Sequence, residues 1–422
     1  ADPQTIVNSG SISDNRFSKL FASQRAFFQS GETLAYEFRR EQLAKLKETV
    51  ASNKKQILEA LHCDLHRPEA EALISEVAFV LEEIEIAEKN LKSWMKVEKV
   101  SSPWLFWPSK SKIISEPFGN ALIIGPWNYP FQLVMAPLVA SIAAGNTNVL
   151  KVSEFTTHTE KLLHSMISEN FDERFLALVP GGLEESQALL KLPFEKMFFT
   201  GSSTVGKIIM KAGAEHLASV TLELGGKSPA IVTKHAQLKI AAKRIAWGKT
   251  YNSGQTCVAP DFVLVENSVR DEFVEELKTA MKELYPNAET YQSDYGRIVN
   301  ERNFDRLLGL LDQEKVVYGG GSERGDLFIE PTIMNDVDWS DRVMQEEIFG
   351  PICPVLGFDR FEDSLNLLNG RDRPLAAYLF SENSREQNLF QKNLHFGGGC
   401  VNDCLVHLAV SYTHLRAHET CL

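Results

Sequence analysis

Residues 121–145 read ALIIGPWNYPFQLVMAPLVASIAAG, inside a stretch from Pro117 to Leu150 that carries no charged residue. Length and apolarity alone would allow a membrane-spanning helix. Pro126, Pro130 and Pro137, with Asn128 and Gln132, argue against one, because prolines remove backbone donors and hydrocarbon offers no replacement partners. The same residues divide into a buried parallel strand, ALIIG, a proline-bounded loop, and a buried helix, FQLVMAPLVASIAAG. That βα unit sets the fold class.

Further short apolar runs follow it, NVLKV, FLALVPG and KMFFTG, each separated by helix-length segments. Alternation of this kind gives βαβ units and a mostly parallel sheet covered by helices, with ligands at the carboxyl ends of the strands. A second series starts near Pro229 with AIV and FVLVE, then the glycine-rich YGGGSERGD and the strand-like FIEPTI, so a boundary is placed near residues 224–228. Upstream, Leu43, Leu46, Val50, Ile57 and Leu61, then Leu73, Val77, Val80, Leu81 and Ile84, repeat at helical spacing. SSPWLFWPSKSK (101–112) has neither period and reads as a connector.

At 422 residues the chain is long enough for two or three substructures with cores of their own. Its net charge of −12 provides no basic footprint for nucleic acid. Cysteines 63, 257, 353, 400, 404 and 421 are too scattered for a disulfide framework, which points to a reducing compartment, the cytoplasm by default. The first residues, ADPQTIVNSGS, lack a secretory signal and an initiator Met. Cys400, Cys404, His407, His414 and His418 resemble zinc ligands only superficially, because paired C-x-x-C spacing is missing; no metal is expected.

FFTGSSTVGK (198–207) follows a strand and opens a helix. Gly201 and Gly206 give G-x-x-x-x-G-K, the pattern of a triphosphate loop, but the next position, Ile208, has no hydroxyl for Mg²⁺. A helix N-terminus with the Ser202 hydroxyl still suits a pyrophosphate, against the simpler reading of a glycine turn. TLELGGKSP (221–229) sets Glu223 between leucines, where a raised pKa would fit a general base; a structural glutamate paired with Lys227 is the plainer alternative. Asn128 in IGPWNYPF could direct its amide at a developing oxyanion, or simply satisfy loop backbone. In EEIFGP (346–351), extended backbone would put Glu347 and Phe349 on one side, suited to a ribose and a flat ring. Cys257 in YNSGQTCVAP (251–260) has no adjacent histidine, so nucleophile and inert buried thiol both remain open on local sequence.

Together, PWNYP, LKVSE, FTGSSTVGK, LELGGKSP, NSGQTCVAP and EEIFGP resemble, in order and spacing, the motifs of the NAD(P)-dependent aldehyde dehydrogenases. RIAWGKTYNSGQTCVAPD and VMQEEIFGP look most like the class 3 branch, which acts on medium-to-long aliphatic and aromatic aldehydes; the likeness spans roughly residues 15–409. It implies an α/β fold with a Rossmann-type cofactor domain (1–100 and 118–224, including N-terminal helices), a bridging or oligomerisation segment (101–117) and an α/β catalytic domain (225–398). Residues 399–409 would open the C-terminal family segment, and 410–422 would be a non-native, adaptor-like tail replacing part of the substrate tunnel and dimer sheet.

The resemblance implies Cys257 as nucleophile, Glu223 as general base, and Asn128 with the Cys257 N–H as oxyanion hole. For NAD or NADP it implies Trp127, Lys151, Glu154, Gly201, Ser202, Gly206, Leu224, Glu347 and Phe349, and for the substrate pocket Tyr129 and Leu133. Glu154 as acceptor from a ribose 2′-hydroxyl leans toward NAD. Val152 stands where the family usually has proline, which would loosen the loop presenting Glu154. The implied reaction oxidises an aldehyde to its carboxylic acid; CoA-acylating or acyl-reducing chemistry, and a cofactor-binding but inactive truncated protein, are the alternatives. A homodimer is expected, weakened by the missing segment.

Overall fold

The computed structural model describes residues 12–409. His414, His418 and Cys421 lie outside the described residues. The described residues form two compact units, one of residues 12–60, 74–200 and 204–221, the other of residues 61–73, 201–203 and 222–409.

In the first unit the uncharged stretch resolves into strand Asn120–Ile124, a loop, helix Gln132–Ala144 and strand Thr147–Lys151. Pro126 and Pro130 bound the loop. Pro137 sits inside the helix and does not end it. Among the described residues, no helix is long and apolar enough to cross a membrane. The sheet runs Leu176–Leu178, Thr147–Lys151, Asn120–Ile124, Lys196–Gly201, Ser219–Leu224, and the first four strands are parallel to one another. Taken in chain order this is 3-2-1-4-5, and the direction of strand addition reverses between Asn120–Ile124 and Lys196–Gly201, the kind of point where α/β sheets bind dinucleotides. Helices Tyr36–Ser52 and Phe79–Trp94 pack with Gln132–Ala144. Leu43, Leu46, Val50, Val80 and Ile84 are fully buried there, each burial contributing about 1.5–3 kcal/mol.

The helical run read over 41–61 is broken at Asn53, which separates Tyr36–Ser52 from Lys54–Leu65. Residues Leu73–Ala78 form a π-helical turn ahead of Phe79–Trp94. The segment read as a connector is the turn of a hairpin: Glu98–Val100 pairs antiparallel with Ser111–Ile113 around a 3₁₀ turn at Trp104–Phe106. Its strands are three residues each, too short for alternation to register.

The second unit carries a seven-stranded sheet ordered Val316–Tyr318, Thr332–Met334, Ile352–Phe358, Phe262–Glu266, Pro229–Val232, Ala376–Phe380, Gly398–Val401. All neighbours are parallel except the first pair. One core cluster joins helices Leu238–Thr250 and Arg270–Leu284 to the sheet, and a second gathers Phe304, Leu307, Leu365, Leu368 and Phe390. The strand-like FIEPTI is two strands. Phe328–Ile329 pairs with Ser322–Glu323, while Thr332–Met334 joins the large sheet, because Pro331 has no N–H to continue a ladder.

Candidate active site

The second unit builds the cysteine loop on unusual backbone. Helix Leu238–Thr250 ends in a turn where Asn252, Ser253 and Gly254 all have positive φ, 51°, 52° and 72°, a conformation that costs non-glycine residues and persists only when the surroundings enforce it. A Cβ on Gly254 would lie 2.2 Å from the Gly350 carbonyl oxygen, so the turn passes directly against the end of the EEIFGP segment. The buried Gln255 amide donates to the carbonyls of Asn252 (3.1 Å) and Arg297 (2.9 Å) and accepts from the Val299 N–H (3.0 Å). Beyond Cys257, the buried Tyr378 hydroxyl donates to the Val258 carbonyl at 2.5 Å. The loop is therefore fixed on both sides of the thiol.

Cys257 keeps partial exposure. Burial pushes its thiol up to about 12, with the carboxylates of Glu347 and Glu223 adding to the rise. The resting thiol is neutral at physiological pH, and a proton acceptor is required before it can attack.

Glu347 is itself displaced. Burial and the charge of Asp261 push its carboxyl up to about 8, against a backbone hydrogen bond from Gly226 and the charges of Lys227 and Arg306. Its carboxylate lies on the backbone of LELGG: a Cβ on Gly225 would be 2.3 Å from Glu347 Oε2. Phe349 has φ 51°. The backbone turns there, so the extended alternation that would place Glu347 and Phe349 on one side does not apply.

Lys227 does not pair with Glu223. Its three donors go to Asp261 Oδ2 (2.5 Å) and the carbonyls of Val343 (3.0 Å) and Glu346 (2.9 Å), which exhausts an ammonium. Asp261 in turn accepts from the Ile348 N–H at 2.9 Å. Sequence reading overlooked Asp261, although a lone acid in the apolar run VAPDFVL is a signal that a buried partner must exist. Glu223 and Leu224 close strand Ser219–Leu224, Glu223 half-buried and Leu224 buried.

In the first unit the PWNYP loop leaves the carboxyl end of Asn120–Ile124. Asn128 is 2% exposed and Tyr129 7%, while Trp127 and Leu133 are half-buried. The loop's exit is anchored by Glu76, a fully buried carboxylate that accepts from the N–H groups of Phe131 (3.0 Å) and Gln132 (2.7 Å) at the start of helix Gln132–Ala144. An acceptor there satisfies orphan helix donors and complements the dipole.

Lys151 ends its strand 1% exposed, its ammonium donating to the carbonyls of Val152 and Gly181 at 2.5 Å each. Burial lowers its pKa, opposed by Glu160, Glu154 and Glu185. Glu154 is exposed just beyond. The expected loosening at Val152 is offset: Val152 is buried, and a turn centred on Ser153 takes the N–H groups of Phe155 (3.3 Å) and Thr156 (3.4 Å). Strand Lys196–Gly201 leads through exposed Ser202 into the fourteen-residue helix Ser203–His216, with Gly206 buried in its first turns. A strand-order reversal, a helix N-terminus and a carboxylate at the neighbouring strand's end are the donor and acceptor set that a dinucleotide takes. The residues present fit NAD(P). Among the described residues, no cluster of His, Cys, Asp and Glu is arranged to hold a metal.

Comparison with known proteins decides the family. The aldehyde dehydrogenase family model matches residues 1–413. The chain belongs to the aldehyde dehydrogenase family. It is 44% identical over 397 residues to a 4,4′-diaponeurosporen-aldehyde dehydrogenase of Staphylococcus aureus, covering 94% of this chain and 86% of that protein. To the "dimeric NADP-preferring" aldehyde dehydrogenase of Canis lupus familiaris it is 43% identical, covering 94% and 87%. A substrate-bound structure of Staphylococcus aureus AldH superposes with a TM-score of 0.91 at 44% identity, over 93% of this chain and 86% of that one. Like the class 3 enzymes, this aldehyde dehydrogenase oxidises an aldehyde with NAD(P)⁺.

Proposed function

We propose that Cys257 is the nucleophile, Glu223 the general base, and Asn128 with the Cys257 N–H the oxyanion donors, acting on medium-to-long aliphatic or aromatic aldehydes. The observation that carries the reading is the rigid left-handed loop around a neutral thiol whose pKa responds to Glu223. Lys227 does not neutralise Glu223, since its three donors go to Asp261, Val343 and Glu346. The Cys257 thiol gives its proton to solvent and adds as the thiolate to the aldehyde carbon, while the Asn128 amide and the Cys257 N–H stabilise the oxyanion. The nicotinamide, when bound, supplies the acceptor for the hydride that leaves this carbon. Glu223 then removes a proton from water, which attacks the thioester on Cys257 and releases the acid. Glu347, protonated over much of the neutral range, is a second carboxyl for this duty only at higher pH.

For the cofactor, Trp127, Lys151, Glu154, Gly201, Ser202, Gly206, Leu224, Glu347 and Phe349 are proposed as its contacts, with Tyr129 and Leu133 lining the substrate pocket. Three carboxylates act on Lys151, a field unfavourable to a 2′-phosphate, so NAD is preferred. The hairpin exposes Trp104 (86%), Leu105 (71%), Phe106 (62%) and Trp107 (84%), an apolar patch that supports association into a homodimer. The free thiols among the described residues support a reducing compartment, the cytoplasm.

The test is aldehyde-dependent reduction of NAD(P)⁺ by wild type and Cys257→Ala, with product analysis with and without CoA. Wild type should yield the carboxylic acid in both conditions and the variant no turnover. Activity in Cys257→Ala, or an acyl-CoA product, would overturn the reading.

A further inference from the structure

The cysteine loop depends on a segment far upstream in sequence that belongs to the same compact unit. Residues 61–73 are part of the second unit. Within them Glu71 Oε1 accepts the Asn252 N–H at 2.8 Å, and its main-chain carbonyl accepts from the Tyr251 hydroxyl at 3.4 Å. The guanidinium of Arg67, with its side chain 0% exposed, lies 3.8 Å from the same Glu71 carboxylate oxygen. The Leu65 carbonyl accepts from the Arg297 N–H at 2.8 Å, beside the Arg297 carbonyl that holds Gln255.

The contact falls at the entry to the left-handed run. Asn252 opens it, and Asn252 and Ser253 are both non-glycine residues with φ near 51°. The conformation needs an external acceptor to orient the Asn252 N–H, since a helical N–H at this point would otherwise seek a carbonyl of the preceding turn. Glu71 supplies that acceptor in a charge-assisted bond, and Arg67 keeps the carboxylate in place.

We infer that Glu71, oriented by Arg67, is a positioning residue that locks the left-handed Asn252–Gly254 turn and so aims Cys257 at the aldehyde carbon. The inference rests on Cys257 as nucleophile. Glu71 touches no reacting atom; its effect passes through the backbone of residues 252–257. Misplacement of a nucleophile by about 1 Å can cost about a hundredfold in rate, so the loss belongs in kcat.

The experiment compares wild type, Glu71→Gln, Glu71→Ala, Ser253→Gly, the double variant Glu71→Ala/Ser253→Gly, and Cys257→Ala, in kcat, KM for aldehyde and NAD⁺, thermal midpoint, and rate of Cys257 alkylation by iodoacetamide. Glu71→Ala should lower kcat by about ten- to a hundredfold with KM for NAD⁺ within about twofold, and should change the alkylation rate. Glu71→Gln, which keeps an acceptor, should lie between. Ser253→Gly relieves the steric cost of positive φ, so it should leave wild type near normal and recover most of kcat in the double variant. The inference is overturned by a Glu71→Ala kcat within twofold of wild type. It is equally overturned by a kcat loss that tracks the thermal midpoint in both Glu71 variants and is not recovered by Ser253→Gly. Turnover retained by Cys257→Ala would instead remove the nucleophile assignment, whatever the Glu71 variants show.

Discussion

Replacing Glu347 by glutamine should make the protein more stable, and more so in alkaline than in mildly acidic solution. In the folded chain this carboxyl is raised from its ordinary 4.5 to about 8, first by burial and then by Asp261. The folded state therefore holds the proton to higher pH than the unfolded chain. Stability associated with the protonated form is complete below the unfolded value and is lost as pH rises through the folded one. Each pKa unit corresponds to about 1.4 kcal/mol, so a fully expressed shift would cost about 2 kcal/mol near pH 6 and about 5 kcal/mol near pH 9. Glu347 is only half-buried, and solvent screening reduces these figures by roughly half. Glutamine keeps the shape and an acceptor for the Gly226 N–H but never ionises. The expected gain is about 1 kcal/mol near pH 6 and about 2–2.5 kcal/mol near pH 9, or several degrees in the midpoint of a unit this size. Thermal unfolding of cofactor-free wild type and Glu347→Gln across that pH range reads it directly. A difference independent of pH, or a variant that grows relatively weaker as pH rises, would refute the reasoning. The same substitution removes a charge that raises the Cys257 thiol, so alkylation of Cys257 should accelerate most above about pH 8.

Glu154→Gln should raise kcat/KM for NADP⁺ relative to NAD⁺, by about three- to tenfold, since one carboxylate leaves the field around a 2′-phosphate; steady-state kinetics with both cofactors measure the ratio, and an unchanged ratio contradicts the NAD preference. Gly254→Ala should nearly abolish turnover and lower the unfolding midpoint, because its Cβ would meet the Gly350 carbonyl oxygen at 2.2 Å and φ is 72°. A variant with wild-type kcat and midpoint would show that the turn tolerates a side chain.

Much of the fold was legible because its signals are local. ALIIG, NVLKV and FVLVE are buried strands that look like buried strands, and six motifs in register pointed to one family. What escaped has physical reasons. The WLFW hairpin has strands of three residues, below the length at which alternation shows, and Pro331 split a run whose residues individually favour strand. Phe349 takes positive φ, so the extended backbone that spacing alone assumed does not hold at that residue. Glu71, Glu76 and Asp261 were overlooked because their importance comes from distant backbone N–H groups, at Asn252, Phe131 and Ile348, that only folding brings to them.

The central claim is a covalent acyl intermediate on Cys257 that Glu223 is needed to hydrolyse. Glu223→Gln, mixed with aldehyde and NAD⁺ and quenched in acid within the first turnover, can be digested and weighed by mass spectrometry. The account predicts one equivalent of reduced cofactor and an acyl mass on the peptide containing Cys257. No adduct despite cofactor reduction, or an adduct on another cysteine, would contradict it.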